Sequence, residues 1–252
     1  RLSIHQSESD GFRRNLTLNE DTNARDEFTS RLRLIWNPHA AWNWDGTLLY
    51  SDLNNGYDVF ALDNNGRYTY SDQPGRDEQE SKAASLRGTY TGSSTVRFTT
   101  VTSGAAIDSI YSYDDDWTAA SYEGFSDLRR ERTVFNQELR LDSAASKNAA
   151  GWIDRWTVGA YFAQIDEDSI YTNEDPWTLR GLATGYRSRN VALFGQVGHD
   201  LSARSRLVAG LRLEQIDLEG TGLSTRLDKV DGTSRLPVTA RSACDDPLVG
   251  GK

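Results

Sequence analysis

The chain has 252 residues, 37% hydrophobic and 10% aromatic, with 28 Lys and Arg against 37 Asp and Glu for a formal charge of −9. So small an apolar share is poor for a closed globular core of this length, and the acidic balance excludes a general nucleic-acid binder, which needs a basic face. No run of eighteen apolar residues could form a transmembrane helix, and no charged start followed by an apolar stretch marks a secretion signal. There is no Met, so the N-terminus reads as processed or truncated.

Taken in chain order, the elements are strands. Arg1 to Gln6 alternates Leu2 and Ile4 with polar neighbours, and Ser7 to Arg25 is a long polar loop. Asp26 to Trp36 places Phe28, Leu32, Leu34 and Trp36 on one face and Glu27, Arg31 and Arg33 on the other. Asn37-Pro38-His39-Ala40 turns the chain, and Trp42 to Asp52 returns with Trp42, Trp44, Leu48 and Tyr50 together. After a loop over Leu53 to Asp77 come a weaker strand over Glu78 to Tyr90, a turn at Gly92, and a strand over Thr95 to Thr102. Ser103 to Asp127 reads as an acidic, aromatic loop. Leu128 to Asp142 is the longest strand signal, with Phe135, Leu139 and Leu141 opposite Glu138 and Arg140. Trp152 to Ile165 returns, Asp166 to Arg189 reads as a loop, and Asn190 to Glu214 is a hairpin. Its second arm sets Leu207, Ala209, Leu211 and Leu213 against Val208, Gly210, Arg212 and Glu214. Residues 220–252 read as a loop-like terminal segment.

This gives about nine strands, with short turns at one end and loops of roughly twenty or more residues at the other. Loops above about fifteen residues are uncommon in compact soluble domains. Outer-membrane barrels combine short turns, long loops, apolar-out and polar-in alternation, and aromatics near the interfaces, as at Trp36, Trp42, Trp44, Trp152 and Trp156. The expected fold is therefore all-β, an antiparallel up-and-down transmembrane barrel spanning residues 1–219. An odd strand count does not close a bacterial barrel, so the chain reads as part of a larger one.

Several segments resemble the barrel domain of TonB-dependent outer-membrane receptors: Arg31 to Pro38, Phe135 to Ser143, Trp156 to Phe162, and Ala192 to Val197 with Ala209 to Glu214. The resemblance implies a 22-stranded barrel around a globular plug, placed in the bacterial outer membrane. Such a receptor imports a scarce nutrient (iron-siderophore, cobalamin or oligosaccharide) with energy passed on by the TonB system. This chain carries no recognisable plug, no energy-coupling box and no terminal aromatic strand. The implied partners are the lipid bilayer, the plug and remaining strands, and a small-molecule ligand. A smaller passive pore and a surface β-rich binding module are the alternatives.

Candidate ligand-binding residues are the aromatics of the predicted long loops, Tyr57, Tyr68, Tyr70, Tyr111, Tyr113, Trp117, Tyr122, Tyr171 and Trp177. Aromatic platforms beside Asn, Asp and Arg suit a sugar or an aromatic chelate, and packing among the loops explains them equally. Arg31, Arg33, Glu138, Arg140, Arg212 and Glu214 are expected to face a lumen, as substrate contacts or as a ladder that satisfies its own charges. Asp114-Asp115-Asp116 reads as a solvated acidic loop rather than a hard-cation site, since the calcium-loop spacing is missing. Cys244 is a spectator thiol or half of a pair whose partner lies beyond Lys252. No cofactor is indicated. His39 and His199 fall at the short-turn end and His5 has no partner motif, so no enzyme is expected.

Overall fold

The computed structural model describes residues 1–119, 124–144, 153–202, 204–230 and 233–244; Tyr122 and Trp152 lie outside them, as do the side chains of residues 230–252 and hence the pairing of Cys244. Among the described residues there is no helix. Ten strands make one antiparallel sheet in simple chain order: β1 (Leu2–Ser9), β4 (Arg25–His39), β5 (Trp42–Tyr57), β7 (Gly75–Tyr90), β8 (Val96–Asp114), β9 (Phe125–Ser143), β10 (Arg155–Glu174), β11 (Thr178–Ser202), β12 (Ser205–Val230) and β13 (Thr233–Cys244). Three short strands, β2 (Arg13–Asn15), β3 (Glu20–Thr22) and β6 (Tyr68–Thr69), form a second, small sheet. The first and last strands of the large sheet do not pair, so it is open.

All nine predicted strands are present, and two expectations at the loop end are corrected. The sequence predicts a loop-like segment over 220–252, yet 220–230 continue β12 and 233–244 pair with them as β13. The loops over Ser103 to Asp127 and Asp166 to Arg189 are largely strand: β8 runs to Asp114, and only 175–177 separate β10 from β11. Backbone pairing does not require an apolar period, so polar hairpins continue where the alternation has faded.

Register aligns the apolar positions into rows. One runs Trp36, Trp44, Gly88, Thr100, Leu139, Ala160, Leu193, Leu213; the next toward the turns includes Trp42, Tyr90, Phe98, Leu141, Val158 and Leu211. These side chains are not covered. Leu34 is 59% exposed, Leu193 62% and Leu211 69%, while the only buried apolar residues among those described are Ala61 and Ala192. Residue contacts run between neighbouring strands, so among the described residues the apolar face has no second sheet against it, as a sandwich would require. A polar residue on this face, Gln137, is satisfied locally: it accepts from Thr102 Oγ1 (2.6 Å) and donates to Thr100 Oγ1 (3.0 Å).

The apolar rows end abruptly toward the loops. The row Asp52, Glu80, Asp108, Glu131, Asp168 crosses five neighbouring strands with acids directly opposite one another. At the turn end the boundary is aromatic: Trp42 stacks on Trp44 at 5.3 Å and lies 5.0 Å from Tyr90.

Candidate functional site

Two of the long connections are built, not slack. The loops over 10–24 and 58–74 meet in a buried polar core around Asp58, which is 5% exposed. Its carboxylate accepts from Asn15 Nδ2 (3.1 Å) and Thr69 Oγ1 (2.5 Å). Its backbone exchanges hydrogen bonds with the Asn23 side chain, 2.8 and 2.9 Å. Asn15 Nδ2 also donates to the Ser71 carbonyl at 2.8 Å, and the Arg13 guanidinium donates to the Val59 carbonyl. Buried polar groups of this kind hold a loop in place through the partners they find; in this core Arg13 Nε and Ser71 Oγ are buried without one.

On this core rests an aromatic cluster. Tyr57 ends β5, Tyr111 and Tyr113 alternate on β8, and Trp117 follows β8. Tyr57 and Tyr111 meet edge to face at 4.8 Å, Tyr111 and Tyr113 lie 5.7 Å apart, and Phe60 stacks on Trp117 at 5.0 Å. Gly75 allows the convergence: it pairs with Tyr57, and a Cβ there would sit 1.8 Å from the Ser112 carbonyl oxygen. Burial, with a hydrogen bond to Tyr57, pushes the Tyr111 phenol above its ordinary value. Ser71 and Asp114 line the small cavity between these rings.

The three acids after Tyr113 have three different fates, and the expectation of one solvated acidic run is corrected. Asp114 is 5% exposed, and its Oδ1 accepts from the backbone N–H groups of Asp116 (3.0 Å) and Trp117 (3.1 Å). Trp117 thereby adopts a left-handed conformation, φ 59°. Asp115 accepts from Asn173 Nδ2 (2.8 Å) and Ser126 Oγ (3.2 Å), tying the loop to β9 and β10. Asp116 is pushed above the ordinary carboxylate value by burial and by its neighbour Asp114. Among the described residues no group of three or more His, Cys, Asp or Glu gathers to hold a metal ion.

Of the nine aromatic candidates the structure brings together Tyr57, Tyr111, Tyr113 and Trp117. Tyr68 stands 44% exposed on β6 and Trp177 72% exposed at the tip of the β10–β11 hairpin. Tyr70 reaches Asp63, Tyr171 is tied to Ser126 at 3.3 Å, and Tyr122 lies outside the described residues. Phe60 belongs to the cluster and was missed; its signal is the apolar run Val59 to Leu62 inside an otherwise polar loop.

Arg31, Arg33, Glu138, Arg140, Arg212 and Glu214 all fall on the face opposite the apolar rows. The charges of Arg33, Glu138, Arg140, Arg212 and Glu214 are met by neighbours on that face. Arg33 Nε donates to Asp45 at 2.8 Å, Arg140 lies 3.1 Å from Asp142 and 3.8 Å from Glu138, and Arg212 Nε donates to Glu214 at 2.9 Å. Arg212 also stands 5.4 Å over the Tyr161 ring.

No family model matches the sequence, and no curated protein matches it. Its fold is similar to the crystal structure of the ferric yersiniabactin uptake receptor FyuA from Yersinia pestis, with a TM-score of 0.66 and 13% sequence identity, over 96% of this chain and 37% of that one. At that identity the likeness is one of fold: the chain has the fold of a piece of a β-barrel, closure is not formed within it, and it spans about 37% of the length of the receptor it matches.

Proposed function

We propose that the chain is a wall segment of a TonB-dependent receptor in the bacterial outer membrane, in which ten strands of a larger barrel help take up a scarce nutrient. The plug, the remaining strands and the TonB energy-coupling system belong to the full-length protein. On this reading the apolar rows face lipid and the opposite face lines a polar lumen. The Tyr57–Tyr111–Trp117 cluster, fixed on its polar loop core, is the first surface a solute meets.

The observation that carries the reading is the exposed apolar face, in register across neighbouring strands from β4 to β12 and bounded by aromatics at the turns and by charge toward the loops. Its depth along β9, from Thr133 to Leu141, approaches the roughly 9–11 residues that a tilted strand needs to cross a bilayer. Unpaired backbone cannot stand in hydrocarbon, and β5 to β11 are paired on both sides throughout that depth. The fold likeness to an uptake receptor supports the same assignment.

The test is a pair of arginine substitutions on opposite faces of the full-length protein, refolded into vesicles and followed by urea denaturation. Leu211→Arg or Phe135→Arg is expected to cost about 2–4 kcal/mol near the bilayer midplane, while Ser85→Arg, on the polar face, costs far less. Equal tolerance on both faces would refute the membrane assignment.

A further inference from the structure

On the polar face of β9, above the level at which the apolar rows end, Arg130 and Arg132 share a single carboxylate. Arg132 Nε donates to Glu167 Oε2 at 2.5 Å, and Arg130 Nε lies 3.3 Å from Glu167 Oε1. The second contact is not a formed hydrogen bond: Arg130 Nε is buried without an acceptor. The register of β8 to β11 isolates this trio. Four successive rows on that face, from Ala105–Val134–Ile165–Ser188 to Tyr111–Leu128–Tyr171–Leu182, hold sixteen positions, and the only charges among them are Arg130, Arg132 and Glu167. Two cations against one anion leave an excess positive charge within these four strands, on a chain whose formal charge is −9; the next carboxylate on that face is Asp77 of β7, opposite Tyr111.

From this arrangement we infer that Arg130 and Arg132 form a binding site for a planar oxyanion, a carboxylate or its equivalent, carried on an aromatic ligand. A guanidinium offers five donors in a planar fork, and one carboxylate cannot occupy two forks, so an incoming planar anion completes the set. Both arginines are accessible, their side chains 41% and 42% exposed, whereas Glu167 beneath them is 17% exposed. The ring preference comes from Tyr111. It pairs with Leu128 while Ser109 pairs with Arg130, which sets the phenol diagonally across from Arg130, a separation long side chains bridge. Tyr111 is the inner member of the Tyr57–Tyr111–Tyr113 group, so a ring stacked there presents its acid to the two guanidiniums. This inference rests on the reading of that face as a lumen open to solute.

The experiment is calorimetric titration of the full-length protein in detergent with benzoate, which has ring and carboxylate, against acetate and benzyl alcohol, which have one each. Benzoate is expected to bind most tightly. Arg132→Gln weakens it about tenfold or more, the scale of a lost charge-assisted pair, and Arg132→Lys, which keeps charge but not the fork, falls between. The discriminating variant is Glu167→Gln, which frees both forks and is expected to tighten benzoate severalfold. A merely structural ion pair predicts the opposite sign. Heat-modifiable electrophoretic mobility confirms that each variant is folded. Benzyl alcohol binding as tightly as benzoate, or Glu167→Gln weakening or leaving unchanged the benzoate affinity, would overturn the site. Fractionation separates the two readings: protein in the outer membrane that fails the titration loses only the site, whereas protein outside the membrane that passes it loses only the transport assignment.

Discussion

Asp114 and Asp116 each keep a carboxylate oxygen, Oδ2, buried without a hydrogen-bond partner, and the two side chains are neighbours in one turn. Burial first, then the adjacent Asp114, holds the Asp116 carboxyl above its ordinary value. The folded chain therefore binds this proton more tightly than the unfolded chain does. The stabilisation is complete below about pH 4, the unfolded carboxylate value, and is lost as pH rises through the raised folded value. Amide hydrogen exchange at Trp117 and Thr118 should accordingly slow as pH falls from neutral toward about 4, after correction for intrinsic rates. Asp116→Asn should flatten that dependence while keeping the acceptor that Thr118 N–H uses at 2.9 Å; an unchanged pH profile in the variant would remove Asp116 as its cause. Asp58 differs because both donors to its carboxylate are buried, Asn15 at 0% and Thr69 at 0% exposure. Asp58→Ala takes the acceptor from Thr69 Oγ1, at about 1–3 kcal/mol, and leaves Asn15 Nδ2 with the Ser71 carbonyl alone. The expected result is rapid tryptic cleavage after Arg13, Arg14 and Arg67 with the large sheet intact. Wild-type resistance at those sites would mean that the two loops are held by something other than this core.

At the scale of the strand, the acidic row across β5, β7, β8, β9 and β10 is a liability. Like charges directly opposite destabilise an antiparallel pair, and Asp108 meets Glu80 on one side and Glu131 on the other. Lys82 pairs with Glu80 and relieves one side only. Asp108→Asn removes both oppositions and should stabilise by about 0.4–2 kcal/mol in total, read as a higher urea midpoint at low salt. The gain should shrink as added salt screens the row, and a gain independent of ionic strength would mean that packing is responsible. Elements were legible from the sequence to the depth at which side-chain period and strand coincide. Leu207 to Leu213 and Phe135 to Leu141 alternate because one face is apolar, so their strands could be read directly. Residues 103–114 and 220–230 carry Ser, Thr, Gly, Asp and Arg without that period, and their pairing is visible only in the backbone register. The β2–β3–β6 sheet was invisible for a different reason: its strands have two or three residues and are held by Asn15, Thr69 and Asp58, residue types that sequence patterns assign to loops. The same limit hid the guanidinium pair, since Arg130 and Arg132 meet Glu167 only once β9 and β10 are in register.

For the molecule as a whole, the open edges decide what the chain can do. Within the apolar depth the last strand is β12, because β13 pairs only with Gly220–Val230 and leaves residues 205–219 with β11 alone. At the other edge β1 pairs with β4 only as far as Leu2↔Leu32, so the β4 backbone beyond Arg33 meets β5 alone. Alternate residues of an edge strand point N–H and C=O away from the sheet, so about nine residues in hydrocarbon leave roughly eight such groups bare. At several kcal/mol each this costs on the order of tens of kcal/mol, more than the exposed Leu207, Leu211 and Leu213 of that same edge strand return together at about 1.5–3 kcal/mol each. Residues 1–252 alone are therefore expected not to insert into lipid vesicles as a monomer but to associate through these edges. Strands that cap β12 and β4, supplied in the same polypeptide or alongside it, should restore a heat-modifiable, protease-resistant form. Insertion of the 252-residue segment as a monomer would mean that β12 and β4 find each other across the gap and close an eight-stranded barrel of β4, β5 and β7 to β12, a small pore in place of a receptor wall.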